Sequence, residues 1–165
     1  MNGHYKLPMP INEPILSYEP GSKERLRLKE VLKELKSTKA DIPMYIGSET
    51  IRTNKKVSIH PPHEHAHVLG YFHHGEAKHV KMAIDAALKA KSKWENMSWE
   101  NRAAIFLKAA ELIAGKYRPY MNGTTMLGQS KTVFQAEIDA ACELIDFLRF
   151  NVHFLSEIYQ QQPIS

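Results

Sequence analysis

Apolar residues recur at every third or fourth position near the end of the chain, from Phe134 to Leu155. This spacing places them on one face of a long helix, which Thr132 is suited to cap. A second apolar row lies almost opposite the first and consists of Phe147, Phe150, Phe154 and Ile158. A helix that is apolar on two faces needs neighbours on both. The pattern therefore predicts a helix that other elements cover from two sides.

The same periodicity predicts helices over most of residues 76–162. Apolar rows run from Val80 to Trp94 and from Ile105 to Ile113, and each predicts one amphipathic helix. A shorter helix is expected to begin near Pro119, because proline fits the first helical turn. We expect Gly128 to end that helix, because glycine adopts the left-handed conformation of a C-terminal residue without a steric penalty.

The first part of the chain is less regular. Residues 1–21 are rich in proline and predict an extended arm, ordered only where it lies on another surface. A helix is expected over residues 22–38. Three short strand-forming stretches follow within residues 44–73, namely Met44–Ile51, Val57–Ile59 and Val68–Phe72. The sequence thus predicts a mostly α fold with a small antiparallel β-hairpin region (α+β), with residues 22–165 as one segment.

Charge and composition narrow the function classes. The chain carries 22 basic and 18 acidic residues, a formal net charge of +4. The basic residues are spread along helix faces rather than clustered, so we expect no nucleic-acid partner. No apolar run approaches a membrane span, so we expect no membrane partner, and the N-terminus lacks the pattern of a signal or transit peptide. With a single cysteine, these features favour a cytoplasmic location.

Glu143 is the candidate binding residue. It begins the second apolar row, one turn before Phe147. A carboxylate on an aromatic face needs a cationic partner, because an unpaired buried charge is costly. That partner is either a protein cation or the amine of a bound substrate. By contrast, Asp139 and Asp146 are interpreted as structural ion pairs or solvated groups.

The histidines near residue 65 and the single cysteine are the other residues whose side chains can bind a metal or act as a nucleophile. In a strand His63, His65 and His67 would share one face, and imidazole suits zinc or copper. Neighbouring prolines instead favour an exposed loop, so these histidines stay weak candidates and no metal site is assigned. Cys142 lies inside the predicted long helix, far in sequence from any group that lowers a thiol pKa, and is interpreted as a small buried apolar residue.

Several segments closely resemble one known family. They are Phe106–Ala110, Met126–Thr132, Gln135–Ala141, Glu143–Asn151 and Gln161–Ser165. Together they resemble Δ1-pyrroline-5-carboxylate dehydrogenases, a branch of the aldehyde dehydrogenase superfamily. The resemblance runs from about Pro14 to the end of the chain and is most specific over roughly the last sixty residues.

The resemblance implies a parent enzyme that oxidises L-glutamate γ-semialdehyde to L-glutamate with NAD in proline degradation. In such enzymes a cysteine thiolate attacks the aldehyde, a hydride passes to NAD, and a glutamate activates water. The glutamate matching Glu143 reaches the substrate's amino end, with Phe147 and Phe150 as the neighbouring wall. The nucleophile, the water-activating glutamate and the NAD-binding loops have no counterpart in this sequence.

We therefore expect the N-terminal helical part of an aldehyde dehydrogenase fold, lacking the Rossmann-like core sheet and the catalytic domain. No catalytic or cofactor-binding residue, no bound NAD and no activity are expected of this chain alone. Its expected partners are the remainder of the parent chain, the semialdehyde and further copies in a homo-oligomer. The alternatives are a stand-alone helical interaction module and a histidine-loop metal-binding protein.

Overall fold

A serine cap and one apolar row define the first helix, α1 (Lys23–Ser37). The Ser22 hydroxyl accepts a hydrogen bond from the Arg25 N–H, and α1 buries Leu28 and Val31.

The computed structural model describes residue 7 and residues 9–161; residues 1–6, 8 and 162–165 lie outside it. The start of the predicted arm and most of the Gln161–Ser165 motif are therefore outside the described residues.

Helix α1 packs against α4 (Arg118–Gln129). At their contact, a Cβ added to Gly123 would lie 3.0 Å from a Leu35 methyl carbon. The glycine inside α4 is therefore the point where the two helix backbones approach closely. The end of α4 differs from the prediction, because Gly128 lies within the helix and Ser130 takes the left-handed conformation, with φ 56°.

The strands form two small sheets. Their bounds are β1 Ala40–Ile42, β2 Met44–Ile46, β3 Glu49–Ile51, β4 Lys56–Ile59 and β5 Gly70–His73. The predicted hairpin is confirmed as antiparallel β2–β3, and β4 pairs antiparallel with β5. Strand β1 was not predicted, and it pairs in parallel with β5. The region therefore holds one hairpin and a three-stranded mixed sheet rather than antiparallel hairpins alone.

Helices α2 (Ala77–Glu95) and α3 (Trp99–Ala114) have the predicted positions, but their predicted apolar rows are largely uncovered. Val80, Ile84 and Leu88 on α2 are each more than half exposed. On α3, the buried residues are Ala103 and Ala110, because α3 turns this face towards α6. Both helices thus keep apolar surface that the described residues do not cover.

The long helix is interrupted. It consists of α5 (Val133–Ala136), a π-helical segment (Glu137–Cys142) and α6 (Glu143–Gln160). The π segment inserts an extra residue and rotates the buried face. After the segment the predicted row is buried at Ile145 and Val152, whereas before it Phe134 is 63% exposed. The second row also differs from the prediction, since Phe147 is 61% exposed.

The arm follows the helices without forming regular structure between residues 9 and 19. It lies along α4, the π segment and α6, and buries Tyr18. The described chain is mostly helical with two small sheets, so the α+β class is confirmed. No helix among the described residues is long and apolar enough to cross a membrane.

Candidate functional site

Helix α6 carries Glu143 to the wall of a cavity of about 440 Å³. Its lining residues are Asn12 from the arm and Glu143, Asp146, Phe147, Phe150, Asn151 and Phe154 from α6. The three residues named from the sequence as a binding group, Glu143, Phe147 and Phe150, are therefore brought together. Their spacing along a regular helix explains this, because residues three and four apart share a face.

Glu143 itself is exposed to solvent. No hydrogen bond or ion pair within residue 7 and residues 9–161 involves its carboxylate. Of the two partners left open for this carboxylate, a protein cation is therefore not found among the described residues, and the expected burial of the charge is wrong. What the structure presents is a free carboxylate beside three phenyl rings, which suits a small cationic group with an apolar chain attached.

Asp146 lies one turn beyond Glu143 and holds the arm in place. One carboxylate oxygen accepts a hydrogen bond of 2.7 Å from the Asn12 amide, and the other accepts one of 2.7 Å from the Glu13 backbone N–H. Asp139 forms an ion pair with Lys131 at 2.7 Å. Asp139 thus forms the ion pair expected from the sequence, whereas Asp146 accepts hydrogen bonds from the arm and forms no ion pair among the described residues. Glu143 is the carboxylate of this set that stays free for a ligand.

The buried carboxylate of this region is Glu137, which the sequence did not single out. Its side chain is fully buried and accepts hydrogen bonds from the Tyr18 hydroxyl at 2.8 Å and the Asn122 amide at 2.7 Å. It also accepts bonds from the Leu16 backbone N–H and the Arg118 guanidinium. Burial by itself would raise the pKa of Glu137, but these donors, Arg118 foremost, hold that pKa below its usual value.

Arg118 joins this network to the arm. Its guanidinium also contacts the Glu13 carboxylate and the Pro14 carbonyl, and Arg149 binds Glu13 at 2.6 Å. Tyr18, a bulky residue, has φ 53°, a conformation that costs free energy unless surrounding contacts enforce it. The network therefore fixes the arm on α4–α6. The sequence signal for it is weak, because the partners of Glu137 come from the arm and from α4, which are distant in the chain.

Cys142 lies next to this network. It is buried, as expected, and its Sγ lies 3.3 Å from an Arg118 nitrogen. Burial, and then the negative charge of Glu137, nevertheless raise the pKa of the thiol to about 11. A thiol with this pKa is almost fully protonated near neutral pH and is therefore a poor nucleophile.

The histidine loop does not have the geometry on which a metal site would depend. Two turns, closed by hydrogen bonds from Glu64 N–H to Pro61 O and from His67 N–H to Glu64 O, replace the alternating strand. The His63 ring instead contacts the Ser130 hydroxyl at 2.7 Å. His63, His65 and His67 therefore do not share one face. No group of three potential ligands occurs in the part of the chain that the structure describes.

Comparison with known proteins places the chain in a family. Residues 50–165 match the model of the aldehyde dehydrogenase family. The chain belongs to the aldehyde dehydrogenase family. This match confirms the resemblance noted from the sequence at the level of the superfamily. Individual relatives show which branch of the superfamily the chain is most similar to among those compared below.

Among these relatives, the Δ1-pyrroline-5-carboxylate dehydrogenase of Agaricus bisporus is 49% identical over 160 residues, covering 96% of this chain and 29% of the relative. The mitochondrial enzyme of Dictyostelium discoideum is 48% identical and covers 95% and 28%. Crystal structures of the Mycobacterium tuberculosis enzyme, one bound with NAD, match with TM-score 0.95 and 44% identity, covering 100% of this chain and 31% of theirs. The chain thus spans about a third of these aldehyde dehydrogenases or less.

The part of the aldehyde dehydrogenase described here does not fit NAD. Binding a dinucleotide at a sheet edge requires a strand that leads through a glycine-rich turn to a free helix N-terminus. Strand β5 leads to α2, but the turn between them contains a single glycine, Gly75, and the His79 backbone N–H already donates to the Glu76 carbonyl at 2.8 Å. The junction between β5 and α2 therefore lacks the arrangement that holds a dinucleotide.

Proposed function

We propose that this chain is the N-terminal, substrate-contacting part of a Δ1-pyrroline-5-carboxylate dehydrogenase. The parent enzyme would oxidise L-glutamate γ-semialdehyde to L-glutamate with NAD, in proline degradation. The observation that carries this proposal is the free Glu143 carboxylate in a cavity lined by phenyl rings, in a chain 49% identical to a relative of that name. NAD is proposed for the parent because a crystal structure of the Mycobacterium relative is bound with it.

Within this function Glu143 binds the substrate's ammonium group and is neither an acid nor a base. Phe147 and Phe150 form the neighbouring wall, where the methylene groups of the substrate lie against the rings. A carboxylate in a partly apolar cleft attracts a cation more strongly than one in open water, because the local dielectric is lower. The site therefore favours the amino-bearing aldehyde over one without the amine.

The chain alone is proposed to be inactive. Its single cysteine, Cys142, is buried and its pKa is raised to about 11, so it is no substitute for a catalytic thiolate. The nucleophile, the water-activating glutamate and the NAD site are proposed to belong to the remainder of the parent chain. The expectation of a cytoplasmic location stays a prediction, and the Dictyostelium relative is named as mitochondrial.

The uncovered apolar surface supports two protein partners, the remainder of the parent chain and further copies of the enzyme. Val80, Ile84 and Leu88 on α2, and Phe147 and Ile158 on α6, are each more than half exposed. Apolar surface of this extent is typical of faces that other protein covers. We propose that the remainder of the parent chain covers part of it and that further copies, in a homo-oligomer, cover the rest.

The test compares two aldehydes in the full-length enzyme. NADH formation is measured with glutamate γ-semialdehyde and with 5-oxopentanoate, which lacks only the amino group. Glu143→Gln removes the negative charge of the acceptor, and a hydrogen bond between charged groups is worth about 1.5–3 kcal/mol. The substitution is expected to lower kcat/KM for the amino substrate by roughly 10- to 100-fold. The value for 5-oxopentanoate should stay nearly unchanged.

The matched control is Asp139→Asn, which removes another carboxylate of the same long helix outside the cavity. It is expected to leave the ratio of the two kcat/KM values unchanged. A wild-type enzyme that does not reduce NAD with glutamate γ-semialdehyde would refute the proposed function. NAD reduction by the 165-residue chain alone would refute its proposed inactivity.

A further inference from the structure

The arm contributes a side chain to the same cavity as Glu143. Asn12 lines that cavity, although it is separated in sequence from Glu143 by most of the chain. Its amide donates to Asp146 at 2.7 Å. Since an ionised carboxylate only accepts hydrogen bonds, the amide must turn its NH₂ group towards Asp146. The Asn12 oxygen is then the part of the amide left to accept a hydrogen bond from another group.

The position of Asn12 is fixed by its neighbours in the arm. The Glu13 backbone N–H donates to the second oxygen of Asp146, and the Glu13 side chain bridges Arg118 and Arg149. Tyr18 anchors the arm further along through its hydrogen bond to the buried Glu137. The arm is therefore ordered before any ligand arrives, and the entropy of fixing Asn12 is not lost at binding.

We propose that the Asn12 carbonyl oxygen is a second acceptor for the ligand's ammonium group in the same cavity as Glu143, and that Asp146 is the residue that positions it. This inference rests on the proposed function, because it concerns recognition in the same cavity. An ammonium group has three donors, and one carboxylate seldom satisfies all of them. Both oxygens of Asp146 already accept hydrogen bonds from the arm. Glu143 and Asn12 are therefore the residues that bind the ammonium group, and Asp146 positions Asn12.

The test uses the full-length enzyme and the same two aldehydes. Asn12→Leu keeps the number and branching of the side-chain heavy atoms but removes the acceptor. Asn12→Ala is a second variant that tests for an effect of leucine bulk. Both are expected to lower kcat/KM for glutamate γ-semialdehyde by about tenfold, mainly through KM, and to leave 5-oxopentanoate unaffected. Asn54→Leu, on an exposed loop away from the cavity, is the matched control and should change neither.

Asp146→Ser tests the positioning role. It removes the carboxylate that orients the Asn12 amide, and it is expected to produce the same selective loss. In the double variant with Asn12→Leu, the two losses should not add, because both act through one hydrogen bond.

If the Asn12 variants lose kcat/KM equally for both aldehydes, Asn12 has only a structural role and the inference is overturned. If they lose kcat/KM for neither aldehyde, the inference is overturned as well. If Glu143→Gln still lowers the ratio in that case, the proposed function survives. If Glu143→Gln also leaves the ratio unchanged, amine recognition at this cavity fails altogether.

Discussion

Replacing Arg118 by methionine should destabilise the chain severely. The Arg118 side chain is 7% exposed and compensates two carboxylates, the fully buried Glu137 and the largely buried Glu13. Arg118→Met leaves Glu137 with uncharged donors alone. Removing one partner of a buried ion pair costs about 3–5 kcal/mol. Domains of this size are stable by roughly 5–15 kcal/mol, so this substitution removes a large fraction of the free energy of unfolding.

The assay is urea unfolding at pH 7, followed by far-ultraviolet circular dichroism. The matched control is Lys131→Met, which removes the cation of the more exposed pair with Asp139 and should change the unfolding free energy little. Adding Glu137→Gln to Arg118→Met should recover at least about 1 kcal/mol, because the uncompensated charge is then gone. A loss for Arg118→Met no greater than for Lys131→Met would refute the reasoning.

Three further predictions follow from single groups. Because the pKa of Glu137 is lowered in the fold, the ionised Glu137 stabilises the folded chain fully above the unfolded-state pKa of about 4.3. This stabilisation is lost as the pH falls through the lower folded-state pKa. The urea concentration at the unfolding midpoint should therefore drop below about pH 4, and it should drop less steeply in Glu137→Gln. Cys142, whose pKa is raised to about 11, should react with iodoacetamide at pH 8 at least about 100-fold more slowly in the folded chain than in urea, and equal rates would contradict its burial. A Cβ at Gly70 would clash with the Ala40 carbonyl oxygen, so Gly70→Ala should lower the free energy of unfolding in urea by about 1–3 kcal/mol. Gly128→Ala, with open space inside α4, should raise it by about 0.5–1 kcal/mol.

The features predicted well from the sequence depend on residues close together in the chain. Thr132 caps its helix as predicted, because its hydroxyl accepts from the Gln135 backbone N–H. Ser22 and Ser98 cap α1 and α3 by the same local rule. The β2–β3 hairpin follows from its turn in the same way. One cavity is lined by Glu143, Phe147 and Phe150 because residues three and four apart lie on the same face of a helix.

Features that depend on distant residues were missed. Strand β1 has little strand signal of its own and exists through its parallel pairing with β5, where Gly70 allows the two backbones to approach. The π segment consists of residues that fit an ordinary α-helix equally well. It brings Glu137 to the core, where groups from the arm and from α4 surround the carboxylate.

The sequence by itself determined the family, the mainly helical class, the helix caps and the set of residues around Glu143. All of these follow from local spacing or from direct similarity of segments. Tertiary structure alone decided that Glu137, rather than Glu143, is the buried charge, and that Asp146 and the arm bring Asn12 to the cavity. The physical reason is that burial and ion pairing depend on which segments meet in space, and a helical repeat read along one segment contains no information about its partners.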